Sequence, residues 1–179
     1  MDIKQKQKIG IRTAILSSIC NVLVAIGKIV FGVLGNSYAL IADGIESTLD
    51  IISSIIVWGG LKIAAEPADS SHPYGHGKAE SLAGVIVSTI LIAVGLGISF
   101  NGITRILTPD ITSPKIFTLY VFVVVIIIKE ILYQYVIRVS KLINSTSMKA
   151  EAWHHRSDAI TTVFALVGVI IAIFFNYPK

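Results

Sequence analysis

Three carboxylates stand close together in a strongly apolar stretch of the chain. Asp43, Glu46 and Asp50 are separated by three and four residues. At about 100° per residue, this spacing places all three side chains in one stripe of an α-helix. An acid near the centre of a bilayer costs about 2.5–3.5 kcal/mol on insertion scales, so membrane helices retain acids for a function. The pattern predicts a functional role for Glu46 and Asp50, with internal ion pairs to Lys28 or Lys129 as the alternative. For Asp43 the two interpretations are equally supported.

A second pair of possible ligands lies much further along the chain. His154 and Asp158 are four residues apart and therefore share one face of a helix. The neighbouring His155 and Arg156 point elsewhere, and Arg156 is long enough to reach the lipid headgroups. A histidine satisfied by a backbone carbonyl is the alternative interpretation of His154.

The two pairs are predicted to meet inside the membrane. Counted from the outer ends of their helices at 1.5 Å per residue, Asp50 lies about 20 Å deep and Asp158 about 25 Å deep. With Glu46 and His154, they would supply one nitrogen and three oxygens as ligands. That donor set suits a divalent transition metal, with zinc, iron and manganese all compatible.

A third cluster occurs in a polar, glycine-containing segment. Asp69, His72 and His76 form the pattern D-x2-H-x3-H, which a short loop can fold around a cation. A solvated loop with a tight turn at Gly75–Gly77 explains the same residues equally well.

The composition indicates which class of protein contains these residues. Of 179 residues, 54% are hydrophobic and 15% are charged, against about a quarter charged in an average soluble domain. The mean hydropathy is +0.77. These values exclude a soluble domain, a disordered chain and a nucleic-acid-binding protein, and the single cysteine, Cys20, excludes a disulfide framework.

Five apolar segments are long enough to cross a bilayer, which takes about 20 residues per helix. Turn residues separate them at Gly35-Asn36, Pro109-Asp110 and Ser113-Pro114, and Asn144-Ser145-Thr146 is interpreted as a helix start. The sequence therefore predicts an all-α membrane protein, a bundle of five transmembrane helices. The predicted segments are Ile11–Leu34, Ser37–Ala65, Ser81–Leu107, Ile116–Ile137 and Ala150–Phe175.

The distribution of basic residues predicts the orientation. The alternate side of the membrane has only Arg105, Lys115 and Lys179. By the positive-inside rule, the N-terminus and the second and fourth connections are cytoplasmic. Residues 1–10 are then a basic cytoplasmic tail and residues 11–179 the transmembrane domain. The basic residues on the cytoplasmic side are Lys4, Lys6, Lys8, Arg12, Lys62, Lys78, Arg138, Lys141 and Lys149.

Taken together, these motifs resemble the cation diffusion facilitator family of metal transporters. The matching pieces read SYALIADGIESTLD at Ser37–Asp50, HPYGHGKAE at His72–Glu80 and WHHRSDA at Trp153–Ala159, in the family's order and spacing. The resemblance runs over the whole chain. It implies a multi-pass protein of a bacterial-type plasma membrane, a secondary active transporter rather than an enzyme.

The resemblance also implies roles for individual residues. The family's transport site falls on Glu46, Asp50, His154 and Asp158, and many members have Asp or His where this chain has Glu46, which puts ligand geometry and metal preference in question. The family's second metal site falls on a loop, and Lys78 resembles a lysine that pairs with an acid of the C-terminal domain to stabilise the dimer. The loop ligands would be Asp69, His72 and His76.

The expected activity is efflux of a divalent metal such as Zn²⁺, Fe²⁺ or Mn²⁺ in exchange for protons, by alternating access in a homodimer, without a permanent cofactor. The family has a sixth span and a cytoplasmic ferredoxin-like domain, so a chain ending at Lys179 is expected to be an incomplete transmembrane domain. The alternative is a non-transporting, metal-binding partner or regulatory scaffold of a complete homologue. An intramembrane metalloprotease is disfavoured, because no glutamate follows His154 as an H-E-x-x-H helix requires.

Overall fold

The computed structural model describes residues 3–107 and 113–174, and all regular structure in these ranges is α-helical. The prediction of an all-α membrane protein is confirmed. The turn at Pro109-Asp110 and the predicted helix end at Phe175 lie outside the described residues. In chain order the helices are α1 (Ile3–Leu34), α2 (Tyr38–Ala64), α3 (Lys78–Leu107), α4 (Phe117–Ile143) and α5 (Thr146–Phe174).

Several helices extend beyond the apolar segments from which they were predicted. The segment predicted as a tail is helical from Ile3 onward, α4 continues to Ile143, and α5 begins at Thr146. These extensions are polar, with residues such as Arg138 and Lys141. Hydropathy identifies only the part of a helix that is apolar enough to lie in lipid. The helix itself can continue through polar residues of good helix propensity, because its backbone hydrogen bonds do not depend on hydropathy.

Four of the helices are long and apolar enough to cross a membrane. They correspond to residues Lys8–Leu34, Lys78–Arg105, Phe117–Ile143 and Thr146–Phe174. The remaining helix of the described chain, α2, has 27 residues and carries the three clustered carboxylates. Many large apolar side chains on these helices are exposed, for example Leu23 and Phe164, as expected of surfaces that face lipid.

The short connections are stabilised by local capping. Asn36 takes a left-handed conformation with φ 50°, and the Ser37 hydroxyl accepts a hydrogen bond from the backbone N–H of Leu40 at 3.3 Å. Asn144 ends α4 with φ 57°. The Ser145 hydroxyl then accepts a hydrogen bond from the N–H of Met148 at 3.3 Å, so the helix start predicted in this segment is confirmed.

The chain forms two compact units. The first comprises Met1–Ile45 with Pro109–Lys179, and the second comprises Glu46–Thr108. In the first unit α4 packs against both α5 and α1. One core cluster joins α4 to the start of α5, and a second joins α2, α4 and α5 around Leu40, Phe122 and Val169. The first cluster contains Tyr133, Val136, Ile137, Val139, Met148 and Ala152.

Glycines let α1 and α2 approach closely within the first unit. A Cβ atom on Gly32 would lie 2.9 Å from the backbone nitrogen of Ile41, and one on Gly44 would lie 3.0 Å from that of Ile29. Backbone atoms cannot move aside as a side-chain tip can. Small residues at such crossings are typical of packed membrane helices, and this crossing fixes the position of Asp43.

Candidate metal centres

The candidate ligands of α5 lie on one face of that helix. His154 Nε2 is 3.8 Å from Asp158 Oδ1, and the exposed fractions of the two side chains are 48% and 15%. Because α5 already begins at Thr146, both residues lie well inside the helix. The spacing of four residues therefore places an imidazole nitrogen and a carboxylate oxygen side by side, as the sequence predicts.

The second oxygen of Asp158 contacts a lysine. Lys129 Nζ of α4 lies 2.6 Å from Asp158 Oδ2, and it also donates a hydrogen bond to Asn21 Oδ1 of α1 at 2.9 Å. From the sequence, Lys129 was an alternative partner of the α2 acids and not of Asp158. The available signal was a lysine in the middle of an apolar span, which requires a counter-charge.

The first carboxylate of α2 forms a buried ion pair. Asp43 Oδ2 is 2.9 Å from Lys28 Nζ, and the two side chains are 7% and 0% exposed. The hydroxyl of Thr162 lies 3.1 Å from Asp43 Oδ2 and 3.3 Å from Oδ1. For Asp43, the ion-pair alternative with Lys28 therefore holds.

The other two α2 carboxylates belong to the second unit. Glu46 is exposed within the chain and Asp50 is partly buried. Both follow Asp43 on the same stripe of α2, about one and two turns further along the helix. The hydroxyl of Ser54 donates to the backbone carbonyl oxygen of Asp50 at 2.8 Å.

The residues next to His154 point away from its face, as the helical spacing predicts. The side chain of His155 is fully buried, and its Nε2 is 2.7 Å from the hydroxyl of Ser17. The guanidinium carbon of Arg156 lies 4.7 Å from the centre of the Tyr133 ring and 5.8 Å from that of Trp153. These cation–π contacts hold Arg156 against aromatic rings of the first unit.

The loop residues of the D-x2-H-x3-H pattern lie close together in the second unit. One ligand atom from each of Asp69, His72 and His76 lies within 4.8 Å of the others. The nearest pairs are Asp69 Oδ1 with His72 Nδ1 at 3.4 Å and Asp69 Oδ2 with His76 Nε2 at 3.6 Å. Gly75 has φ 77°, so the tight turn of the alternative interpretation is also present, and it brings His72 and His76 together.

Local hydrogen bonds hold Asp69 in its ionised form. Its Oδ1 accepts the backbone N–H of His72 at 2.6 Å and that of Ser71 at 2.9 Å. The Ser71 hydroxyl donates to the same oxygen at 3.0 Å. These donors, the His72 N–H above all, lower the pKa of the Asp69 carboxyl below its ordinary value. Beyond this loop, Lys78 is the first residue of α3 and is exposed.

Comparison with known proteins finds a matching family model and several similar proteins. Residues 14–179 match the family model described as the cation efflux transmembrane domain. The manganese efflux system protein MneP of Bacillus subtilis is 35% identical over 96% of this chain and 58% of its own length. An uncharacterised transporter of Methanocaldococcus jannaschii is 37% identical over 91% of this chain and 58% of its own length.

A further relative is the manganese efflux system protein MneS of Bacillus subtilis, 33% identical over 93% of this chain and 58% of its own length. The chain thus spans 58% of the length of each of these curated relatives. The matched region contains both candidate metal centres.

Proposed function

This chain belongs to the cation efflux family, known also as the cation diffusion facilitators, and we propose that it moves a divalent transition metal out of the cytoplasm. The proposed transport site consists of Glu46 and Asp50 of α2 with His154 and Asp158 of α5. The observation that carries the proposal is the adjacent pair of His154 Nε2 and Asp158 Oδ1, 3.8 Å apart inside a membrane-spanning helix.

The spacing along each helix supports the four-residue site. Asp43 of α2 contacts Thr162 of α5. Glu46 and Asp50 follow Asp43 by about one and two turns, and Asp158 and His154 precede Thr162 by the same intervals. In an alternating five-span topology α2 and α5 run in opposite directions, so counting along each helix from its outer end gives similar depths for both ligand pairs.

The chemistry of the donors favours manganese as the first metal to test. Three carboxylates and one imidazole form a largely oxygen-based set, which suits Mn²⁺ and Fe²⁺ as well as Zn²⁺. Two relatives are named for manganese efflux. Glu46, with a longer arm than aspartate, adjusts the coordination geometry.

Exchange with protons follows from the ligand chemistry. Metal-binding carboxylates and imidazole must be deprotonated, so metal loading expels any protons that the empty site holds. A cycle in which the site opens alternately to each side then couples metal export to proton import.

We further propose a homodimer in a plasma membrane, with residues 11–179 as the transmembrane part and the Asp69, His72 and His76 cluster as a second metal site.

Metal flux tests this function. The purified chain is reconstituted in proteoliposomes that contain a Mn²⁺-sensitive dye, and Asp50→Ala and Asp158→Ala are each expected to reduce flux by about tenfold or more through loss of a ligand. Glu130→Gln is the matched control, because Glu130 is a span carboxylate outside the site that accepts a hydrogen bond from Gln134. Near-wild-type flux in either alanine variant would contradict the site. A wild-type chain that binds Mn²⁺ without transporting it would indicate the scaffold function instead.

A further inference from the structure

A buried lysine holds one of the proposed ligands. Lys129 is 2% exposed, and its ammonium group lies between Asp158 Oδ2 at 2.6 Å and Asn21 Oδ1 at 2.9 Å. An ammonium ion removed from water needs both a counter-charge and hydrogen-bond acceptors, and these two residues supply them. The three residues come from α4, α5 and α1 and all lie in the first unit.

The two oxygens of Asp158 contact different groups. Oδ2 is held by the lysine, whereas Oδ1 lies beside His154 Nε2, where a metal bound by this pair would be. A metal on Oδ1 would therefore share one carboxylate with a positive charge on its other oxygen. Two cations so close together in a region of low dielectric repel each other strongly.

We propose that Lys129 is a built-in competitor of the transported metal: its ammonium group neutralises Asp158 when the site is empty, and it weakens metal binding so that the ion can leave. This inference rests on the proposed function, because it assumes that Asp158 is a ligand. When the metal arrives, the ammonium loses its pairing with Asp158 and keeps Asn21 as an acceptor. When the metal departs, the ammonium returns to the carboxylate.

This competition also selects the class of ion. A monovalent cation offers Asp158 no more charge than the ammonium that already contacts it and so gains little by displacing it. A divalent cation brings twice the charge and also engages His154, so it overcomes the tethered ammonium. The lysine therefore favours divalent over monovalent cations at the cost of some affinity, which suits a transporter that must release its cargo.

The test is equilibrium binding of Mn²⁺ in nanodiscs to the purified full chain with His72→Ala and His76→Ala, which remove the loop site. Lys129→Gln removes the charge and keeps a hydrogen-bonding side chain, and it is expected to bind Mn²⁺ about tenfold more tightly or better. Lys129→Arg retains the charge and should show no such gain in affinity. Lys141→Gln, an exposed lysine on the same helix, is the matched control and should also bind like the wild type.

A gain in affinity separates this role from structural support, because a damaged site binds metal more weakly. Equal or weaker binding by Lys129→Gln, with wild-type binding intact, would overturn the role of Lys129 and leave the proposed transport site standing. If Asp158→Asn binds Mn²⁺ as tightly as the wild type does, the proposed site itself fails.

A measurement on the chain with Lys129 retained covers the case in which Lys129→Gln does not fold. The Nζ resonance of Lys129 is followed by ¹⁵N NMR and assigned by its absence in Lys129→Arg. Addition of Zn²⁺, which is diamagnetic, should shift this resonance as the ammonium leaves Asp158. The titration is carried out on a chain that also has His72→Ala and His76→Ala, so that Zn²⁺ cannot bind the loop, and a resonance that stays unchanged while Zn²⁺ binds would overturn the inference.

Discussion

At the scale of residues, the two candidate centres differ in what surrounds their ligands. Asp158 is 15% exposed and is held by a lysine from another helix. Asp69 is 49% exposed and is held by the backbone of its own loop. A ligand fixed by packing between helices cannot be replaced by water without loss of geometry, whereas a solvated loop can be rebuilt around water. The loop centre should therefore be the less essential of the two.

Removal of the loop histidines should reduce metal binding more than transport. His72→Ala combined with His76→Ala deletes two of the three loop ligands, so isothermal titration should show a lower stoichiometry of Mn²⁺ while flux into proteoliposomes persists. Tyr74→Ala, in the same loop and fully exposed, is the control and should change neither. Complete loss of flux would place the loop in the ion path, and an unchanged stoichiometry would show that the loop binds no metal.

The Asp69 carboxylate should stabilise its turn well into the acidic range. Its pKa in the folded chain lies below the ordinary value of 3.8. The stabilisation is therefore complete above that ordinary value and is lost as the pH falls through the lowered one. In NMR titrations from pH 5 to 2.5, the backbone amide of His72 should shift in the wild type and stay nearly constant in Asp69→Asn. Equal shifts in both proteins would contradict this assignment.

At the scale of elements, the crossing of α1 and α2 positions the first acid of the carboxylate stripe. Gly32 and Gly44 permit the close approach, and the ion pair of Lys28 with Asp43 lies at this crossing. The buried pair is satisfied further by Thr162 of α5. Small residues and one neutralised charge pair thus join three helices in the first unit.

A methyl group at this crossing should destabilise the protein. Gly32→Ala would place its Cβ 2.9 Å from the backbone nitrogen of Ile41, so the helices must separate, at a cost of about 1–3 kcal/mol. The melting temperature in detergent should fall. Gly27→Ala on the same helix is the matched control, because no atom of another described helix lies within 4 Å of its added Cβ. Equal melting temperatures in the two variants would show that the crossing is not tightly packed.

At the scale of the whole molecule, the protein exposes many large apolar side chains, as expected of helices that face lipid. Only 15% of the residues are charged. Several of those within the spans are paired, as in Lys28 with Asp43 and Lys129 with Asp158. Because uncompensated charges are costly in lipid, each cation that enters such a protein must change the pairing or the protonation of groups already there.

Metal binding should therefore release protons and weaken as the pH falls. The ligands must be deprotonated to bind, and imidazole side chains in general gain protons as the pH falls from about 7.5 to 6. Apparent Mn²⁺ affinity should decrease over this range. Titration calorimetry in buffers of different ionisation enthalpy counts the released protons, and the loop double variant separates the contribution of the second centre. Affinity that is flat with pH, with no proton release, would contradict metal–proton exchange.

The sequence alone determined the features that depend on near neighbours along the chain. The apolar segments predicted membrane helices, and the spacing of His154 and Asp158 predicted a shared face, because both signals repeat with the helical period. The start of α5 near Asn144-Ser145-Thr146 was also predicted, because capping residues act within a few positions along the chain. The motifs also pointed to the family, since they combine several such local patterns in a fixed order.

Only the tertiary structure decided which lysine meets which acid. Lys28 pairs with Asp43 and Lys129 with Asp158, while His155 reaches Ser17, 138 residues away along the chain. These contacts depend on the rotation of each helix about its axis and on close crossings such as the one at Gly32. Helical periodicity defines the faces of a helix but does not say which neighbour each face meets, because packing between distant segments settles that choice.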